Sequence, residues 1–308
     1  MRMRKLISFD WAMKKLLRSK ANFEILEGFL SELLKDDIKI LEILESESNK
    51  DNSRDKFNRV DLKVKNLKDE IIVIEVQYDR ELDYLQRLLF GASRVITEHL
   101  DKGDPYSNIV KVVSVSILYF DLGQGTDYVY YGQTSFTGIH KQDTLQLSEE
   151  QQEVYKKNGL HEIFPEYYLI KVNNFDDIAK NTLDEWIYFL KNEEIKENFS
   201  AKGLKKAKEE LSILKLPEEE RRAYERYEDD LHYQASMVES TYTVGMLKGK
   251  KDGREEGLKE GRQEGKEEGR QEIALNLISA GLLDLESISR FTGLTLEKVK
   301  MLKDKVTK

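Results

Sequence analysis

The sequence predicts a mixed α/β fold running α-β-β-β-α-β, with a helical C-terminal extension. Three observations carry this expectation. Residues 58–66 and 70–78 are two alternating segments around a short polar turn. Amphipathic stripes at helical spacing stand on either side of them. Lys111 to Phe120 is a β-branched, largely apolar run suited to a buried strand.

The first helix is expected over residues 22–34, where Phe23, Leu26, Phe29, Leu30 and Leu33 share one stripe while Glu24, Glu27 and Ser31 share another. Ile38 to Leu44 reads as a strand. In the hairpin, Val60, Leu62 and Val64 alternate with Asp61, Lys63 and Lys65, while Ile72, Ile74 and Val76 alternate with Val73, Glu75 and Gln77. With Leu67, Lys68 and Asp69 as the loop, Val64 faces Ile72, Leu62 faces Ile74 and Val60 faces Val76. A one-residue slip would set apolar side chains against polar ones, so the pattern selects this register. A helix follows over residues 81–101, with Leu82, Leu85, Leu89, Ala92 and Ile96 as its expected buried stripe, closed at Gly103-Asp104-Pro105.

The same register sets Asp61 opposite Glu75, with Gln77 further along the same face. Opposed residues have Cβ atoms about 4.5–5.5 Å apart. Two carboxylates that close repel unless a cation lies between them. Oxygen donors with no cysteine or histidine nearby favour a hard ion, Mg²⁺ first, with Mn²⁺ and Ca²⁺ as alternatives. Such a site points to phosphodiester chemistry. The competing reading is a sheet face whose acids and lysines are simply solvated.

Composition sets limits. A chain of 308 residues accommodates one large domain with appendages, or two domains. It has no cysteine, which excludes disulfides and zinc–thiolate sites and fits a reducing compartment. No segment is long and apolar enough to span a bilayer, so no membrane partner is expected. Met1 to Lys5 is basic but lacks the apolar run of a signal peptide, and a cytoplasmic location is expected. The net charge of −8 argues against a general nucleic-acid binder. Residues 1–120, however, carry 21 basic and 21 acidic side chains, so the deficit belongs to the second half. The four histidines, at 99, 140, 161 and 232, show no ligand spacing.

With Asp61 and Glu75-Val76-Gln77 in this order of elements, the chain resembles the PD-(D/E)XK nucleases, and within them the recombination-promoting nuclease or putative transposase branch. Gln77 stands where most of the superfamily has lysine, and Glu-X-Gln is the form this branch carries. Further matching text includes Phe9-Asp10, Glu27-Gly28-Phe29-Leu30, Glu45 to Asn49, Asn58 to Asp61, Arg87 to Arg94, Phe164 to Tyr168 and Leu183 to Trp186. The resemblance covers roughly residues 5–230. It implies a restriction-endonuclease-like core and a Mg²⁺-dependent endonuclease cutting double-stranded DNA in recombination or mobile-element transfer. The alternative is a catalytically decayed nuclease fold that binds DNA or self-assembles.

Chemistry and resemblance together suggest roles. Asp61 and Glu75 would ligate the ion with help from the Val76 carbonyl, and the ion would lower the pKa of a bound water. Gln77 would orient that water without supplying charge. Glu27 is the acid chosen on the first helix to complete the shell, with Glu24 and Glu45 as rivals. Lys63 is a candidate for the missing cation, against the plainer reading of a solvated strand lysine. Arg87 and Arg94, seven apart on one helix face, are candidates for contacts to DNA phosphates.

Expected boundaries are a nuclease-like domain over 1–175, a helical extension over 176–240, a charged segment over 241–272 and a small helical tail over 273–308. Tyr128 to Tyr131 and Tyr167 to Val172 are expected to extend the sheet. From Gly245 to Gly269 glycine recurs at every fourth position, flanked by one basic and one acidic column. Each glycine costs a helix about 0.8–1.0 kcal/mol relative to alanine. Two such helices packed along their glycines could nevertheless oppose acidic and basic columns. A homo-oligomer joined through residues 241–308 is therefore expected, the other reading being a flexible charged linker. The tail resembles helix-turn-helix-like tails and is read as a cap rather than a DNA binder.

Overall fold

The computed structural model describes residues 6–44 and 61–306. In chain order it contains α1 (Phe9–Lys15), α2 (Phe23–Leu34), β1 (Ile40–Leu44), β2 (Leu62–Asn66), β3 (Ile71–Gln77), α3 (Tyr84–Glu98), β4 (Val112–Leu118), β5 (Val129–Gly132), α4 (Glu149–Tyr155), β6 (Glu166–Lys171), α5 (Thr182–Asn192), α6 (Leu204–Glu210), α7 (Glu218–Ala280), α8 (Leu285–Thr292) and α9 (Leu296–Val306). The expected α-β-β-β-α-β run is α2-β1-β2-β3-α3-β4, with α1 placed ahead of it. The chain divides into two compact units, with the boundary between Leu231 and His232.

The first unit is built on a six-stranded mixed sheet in the order β1-β2-β3-β4-β6-β5. β1, β2 and β3 pair antiparallel, β3 and β4 pair parallel, as do β4 and β6, and β5 closes the far edge antiparallel to β6. The hairpin register is the expected one: Leu62 faces Ile74 and Val64 faces Ile72. The pairing of Val60 with Val76 lies outside the described residues.

Both sheet faces are covered, which a half-buried hairpin would not require. Leu62, Val64, Ile72, Ile74 and Val76 join Val113, Val115 and Ile117 in the main core, beneath residues of α1, α2 and α5. An aromatic nest locks these helices together. Phe9 lies 5.3 Å from Phe29 and 6.1 Å from Trp186, ring centre to ring centre, and burying each such ring contributes roughly 2–3 kcal/mol. On the opposite face Ile71, Val73 and Val112 pack against Ala92 and Val95 of α3.

The helix α3 is turned relative to the expected stripe. Its buried residues are Tyr84, Leu88, Ala92 and Val95, whereas Leu82, Leu85 and Leu89 are exposed. The reason is polar. In this orientation Arg87 and the Tyr84 hydroxyl both reach Glu75 on β3.

In the second unit α7 continues without a break through all seven fourth-position glycines, and a Cβ added at any of them would meet nothing within 4 Å. Residues 273–280 are the end of α7, and two short helices, α8 and α9, follow Gly281. Gly293 ends α8 with φ 68°, a left-handed conformation that glycine adopts without strain. Ala274, Ile288, Leu294, Val299 and Leu302 form a small core of their own. Among the described residues no helix is long and apolar enough to cross a membrane.

Candidate active site

The site forms where β2 begins and β3 ends. β3 is fastened on both sides, so its last residues are rigidly placed. Asp61 stands one residue ahead of the Leu62–Ile74 pair, and the next residue across is Glu75. The Asp61 backbone leaves the ladder there, and its side chain replaces it: Oδ2 accepts a hydrogen bond from the Val76 N–H at 2.7 Å. The Asp61 side chain is only 14% exposed.

Glu75 points to the α3 side of the sheet. Tyr84 Oη donates to its Oε2 at 3.3 Å, and the Arg87 guanidinium pairs with its Oε1. Arg87 also grips both oxygens of Glu81, at 2.7 and 2.8 Å. Gln77 Nε2 donates to Glu81 Oε1 at 3.0 Å and to the Asp79 carbonyl at 3.3 Å. Glu75, Gln77, Glu81 and Arg87 thus form one hydrogen-bonded group beside Asp61.

On the other side of Asp61 lies α1. Asp10 is 2% exposed and accepts from Tyr227 Oη near the start of α7. Lys14 Nζ is 2.8 and 2.9 Å from the two Asp10 oxygens and 3.8 Å from Asp61 Oδ1. Arg18 donates to the Asp61 carbonyl at 3.0 Å. Phe9, seated in the aromatic nest, and Trp11, 5.5 Å from Tyr224, clamp this helix on both sides of Asp10.

Electrostatics follow from burial. Burial raises the Asp61 carboxyl from its ordinary 3.8 to about 6; Asp10 adds to the rise, while Lys14, the Val76 N–H and Arg87 oppose it. Burial also raises Glu81, with Asp83 and Asp79 contributing, and pushes the Tyr84 hydroxyl up to about 12. Arg87 is lowered by burial, against the favourable charge of Asp61.

Of the residues read from the sequence, Asp61, Glu75, Val76 and Gln77 come together. Glu27 does not join them. Its carboxylate accepts from the Ile40 N–H at 2.9 Å and pairs with Lys39 at 3.0 Å, which fastens α2 to the start of β1. Its rival Glu24 is exposed on α2, and Glu45 lies outside the described residues. Lys63 is 5% exposed and pairs with Glu98 at 3.2 Å, because α3 covers the face on which a solvated lysine was expected. Arg94 pairs with the same Glu98 at 2.8 Å, so Arg87 and Arg94 each neutralise an acid. Asp10 and Lys14 carried no assigned chemistry in the sequence. Their signals were the i,i+4 acid–lysine spacing and a run from residue 11 to 23 with four basic residues and no acid.

Residues 7–241 match the family described as PD-(D/E)XK nuclease family transposase. The chain belongs to this family. No curated protein and no solved structure matches it. The mixed sheet and its flanking helices agree with a restriction-endonuclease-like PD-(D/E)XK fold. PD-(D/E)XK nucleases typically use divalent metals. The donors gathered here suit such an ion in kind, being carboxylates and an amide with no sulfur or imidazole. Asp61, costly to ionise where it is buried, would gain from a nearby cation. As arranged, however, Glu75 is held by Arg87, and among the described residues no group of three or more acidic, histidine or cysteine side chains is gathered closely enough to hold an ion.

Proposed function

We propose that this chain is a divalent-metal-dependent endonuclease that cuts double-stranded DNA in recombination or mobile-element transfer. The observation that carries the reading is the pair Asp61 and Glu75 at one end of β2 and β3, within a chain of the nuclease family.

Asp61, Glu75 and the Val76 carbonyl are the groups that would hold the ion, Mg²⁺ being the first choice for an all-oxygen set. Such an ion, when bound, supplies Lewis acidity at the phosphate and a more acidic water. The chain's own residues do the rest. The Val76 N–H fixes the direction of the Asp61 carboxylate, and Arg87 must release Glu75 before that carboxylate can serve another cation. Gln77, released from Glu81, can orient the attacking water by its amide. In the hydrolysis the water oxygen bonds to phosphorus and the ester P–O bond breaks. The departing oxygen takes up a proton, and the water gives one up.

One observation favours the second reading, a decayed nuclease that binds DNA or self-assembles: the cation on Glu75 in this structure is Arg87, which it shares with Glu81. Incubation with supercoiled plasmid separates the two. Nicked or linear product in Mg²⁺, none in EDTA and none in the protein-free control, is the expected result. Intact plasmid in Mg²⁺ and Mn²⁺, with DNA retained in a gel shift, would move the conclusion to the decayed fold. Assembly through residues 241–308 is supported by the unobstructed glycines of α7 and the opposed charge columns beside them.

A further inference from the structure

The nuclease reading leaves a charge unaccounted for. Gln77 offers none, Lys63 is buried against Glu98, and Arg87 is divided between Glu75 and Glu81. The cation that faces Asp61 is on α1. We propose, resting on that reading, that Lys14 grips the phosphate to be cut and supplies the positive charge that Gln77 lacks.

The geometry is specific. Lys14 Nζ stands 3.8 Å from Asp61 Oδ1, and its side chain is 43% exposed, so a phosphate docking against Asp61 meets the ammonium from solvent. An exposed i,i+4 ion pair is a loose object that contributes little. This pair differs because Asp10 is 2% exposed and is fixed by Tyr227 from α7. Asp10 therefore holds the lysine in place through a hydrogen bond to its Oδ2 and close charge contact with its Oδ1, and an ammonium has three protons to donate, which leaves donors for a substrate oxygen. Arg18, one turn onward, secures the Asp61 backbone through its carbonyl. The surrounding stretch adds exposed Lys15 and Lys20, with no acid from residue 11 to 23, so this segment presents positive charge to a polyanion approaching Asp61.

The test has one arm that needs no catalysis. In EDTA, binding of a fluorescent DNA duplex is followed by anisotropy across a salt series. Lys14→Gln should lower the slope of log affinity against log salt by about 0.9, the loss of one phosphate contact, and Lys14→Arg should restore it. In Mg²⁺, Lys14→Gln should slow plasmid nicking by about 10²–10³-fold, the scale of losing one preorganised charge-stabilising donor, with most of the rate regained by Lys14→Arg. Because Lys14→Gln leaves a buried acid unpaired, Asp10→Asn combined with Lys14→Gln is measured beside it, and the same two losses are expected. Wild-type rate and unchanged salt slope in that double variant, while Asp61→Ala is inactive, would overturn the proposal and leave the nuclease standing. A lowered slope in a wild-type background that never cuts would keep the phosphate contact and overturn the nuclease.

Discussion

Replacing Asp61 with asparagine should make this protein more stable at neutral pH, and by an amount that depends on pH in a defined window. The Asp61 carboxyl is raised from 3.8 to about 6, chiefly by burial. A group whose folded pKa lies above its unfolded value contributes its stability in the protonated form. That contribution is complete below about pH 4 and is lost as pH rises through about 6. At 1.36 kcal/mol per pKa unit, two units correspond to about 3 kcal/mol, and relaxation around a side chain that keeps some solvent contact brings the expectation to about 1–3 kcal/mol. Asparagine has nearly the same shape, retains an oxygen to accept the Val76 N–H, and does not titrate here. The difference between Asp61→Asn and wild type should therefore open between pH 4 and 6 and stay constant from pH 7 to 8. Urea midpoints at unit pH intervals measure it; by heat it corresponds to roughly 2–4 °C per kcal/mol. Millimolar Mg²⁺ at pH 8 should raise the wild-type midpoint and leave the variant unmoved. A difference that is flat from pH 4 to 8, or a wild type that gains on the variant as pH rises, would refute the burial argument.

Other consequences can be checked separately. Gly28→Ala places a Cβ about 2.2 Å from the Lys202 carbonyl oxygen and 2.7 Å from the Gly203 Cα, so α2 and the segment entering α6 must separate. A loss of about 3 kcal/mol is expected in urea unfolding, and a variant as stable as wild type would contradict this packing. Lys111→Met removes a buried ammonium that donates to the His161 and Phe164 carbonyls and to Glu166. It should cost roughly 3–5 kcal/mol by the same assay, against near zero if those acceptors are rehydrated. In α7, alanine at Gly253, Gly257 and Gly261 should raise helicity by circular dichroism, each adding about 0.8–1.0 kcal/mol of helix propensity. If those glycines line a contact between two copies, the same change should lower the associated mass in sedimentation; an unchanged mass removes the glycines from the contact.

The register of the hairpin was legible because its alternation is strict: only one pairing puts Leu62 against Ile74 and Val64 against Ile72. Asp61, Glu75 and Gln77 followed from it. What alternation could not show is that β3 is covered on both faces, and from this the misplaced residues follow. Lys63 is polar and alternates outward, yet α3 closes over it and Glu98 compensates its charge. Along α3 and just ahead of it, leucines at 82, 85 and 89 outweigh the true buried stripe in hydrophobicity, while Tyr84 and Arg87 on the other side of the helix hydrogen-bond to Glu75. Glu27 was drawn to the site by the acid's helical position, but the strand start at Ile40 claims it. Asp10 and Lys14 are separated from Asp61 by more than forty residues, and no local pattern relates such positions. The glycine column argued against a helix on propensity, and α7 nevertheless runs through it.

The most direct measurement of the central claim is plasmid nicking in Mg²⁺ by wild type, Asp61→Ala and Glu75→Ala purified side by side, with circular dichroism showing that all three are folded. Wild type should cut and EDTA should abolish the cutting, neither variant should cut, and all three should still retain DNA in a gel shift. Cutting at the wild-type rate by a folded Asp61→Ala or Glu75→Ala protein would contradict that claim, because the two carboxylates at the ends of β2 and β3 would then not be the catalytic pair.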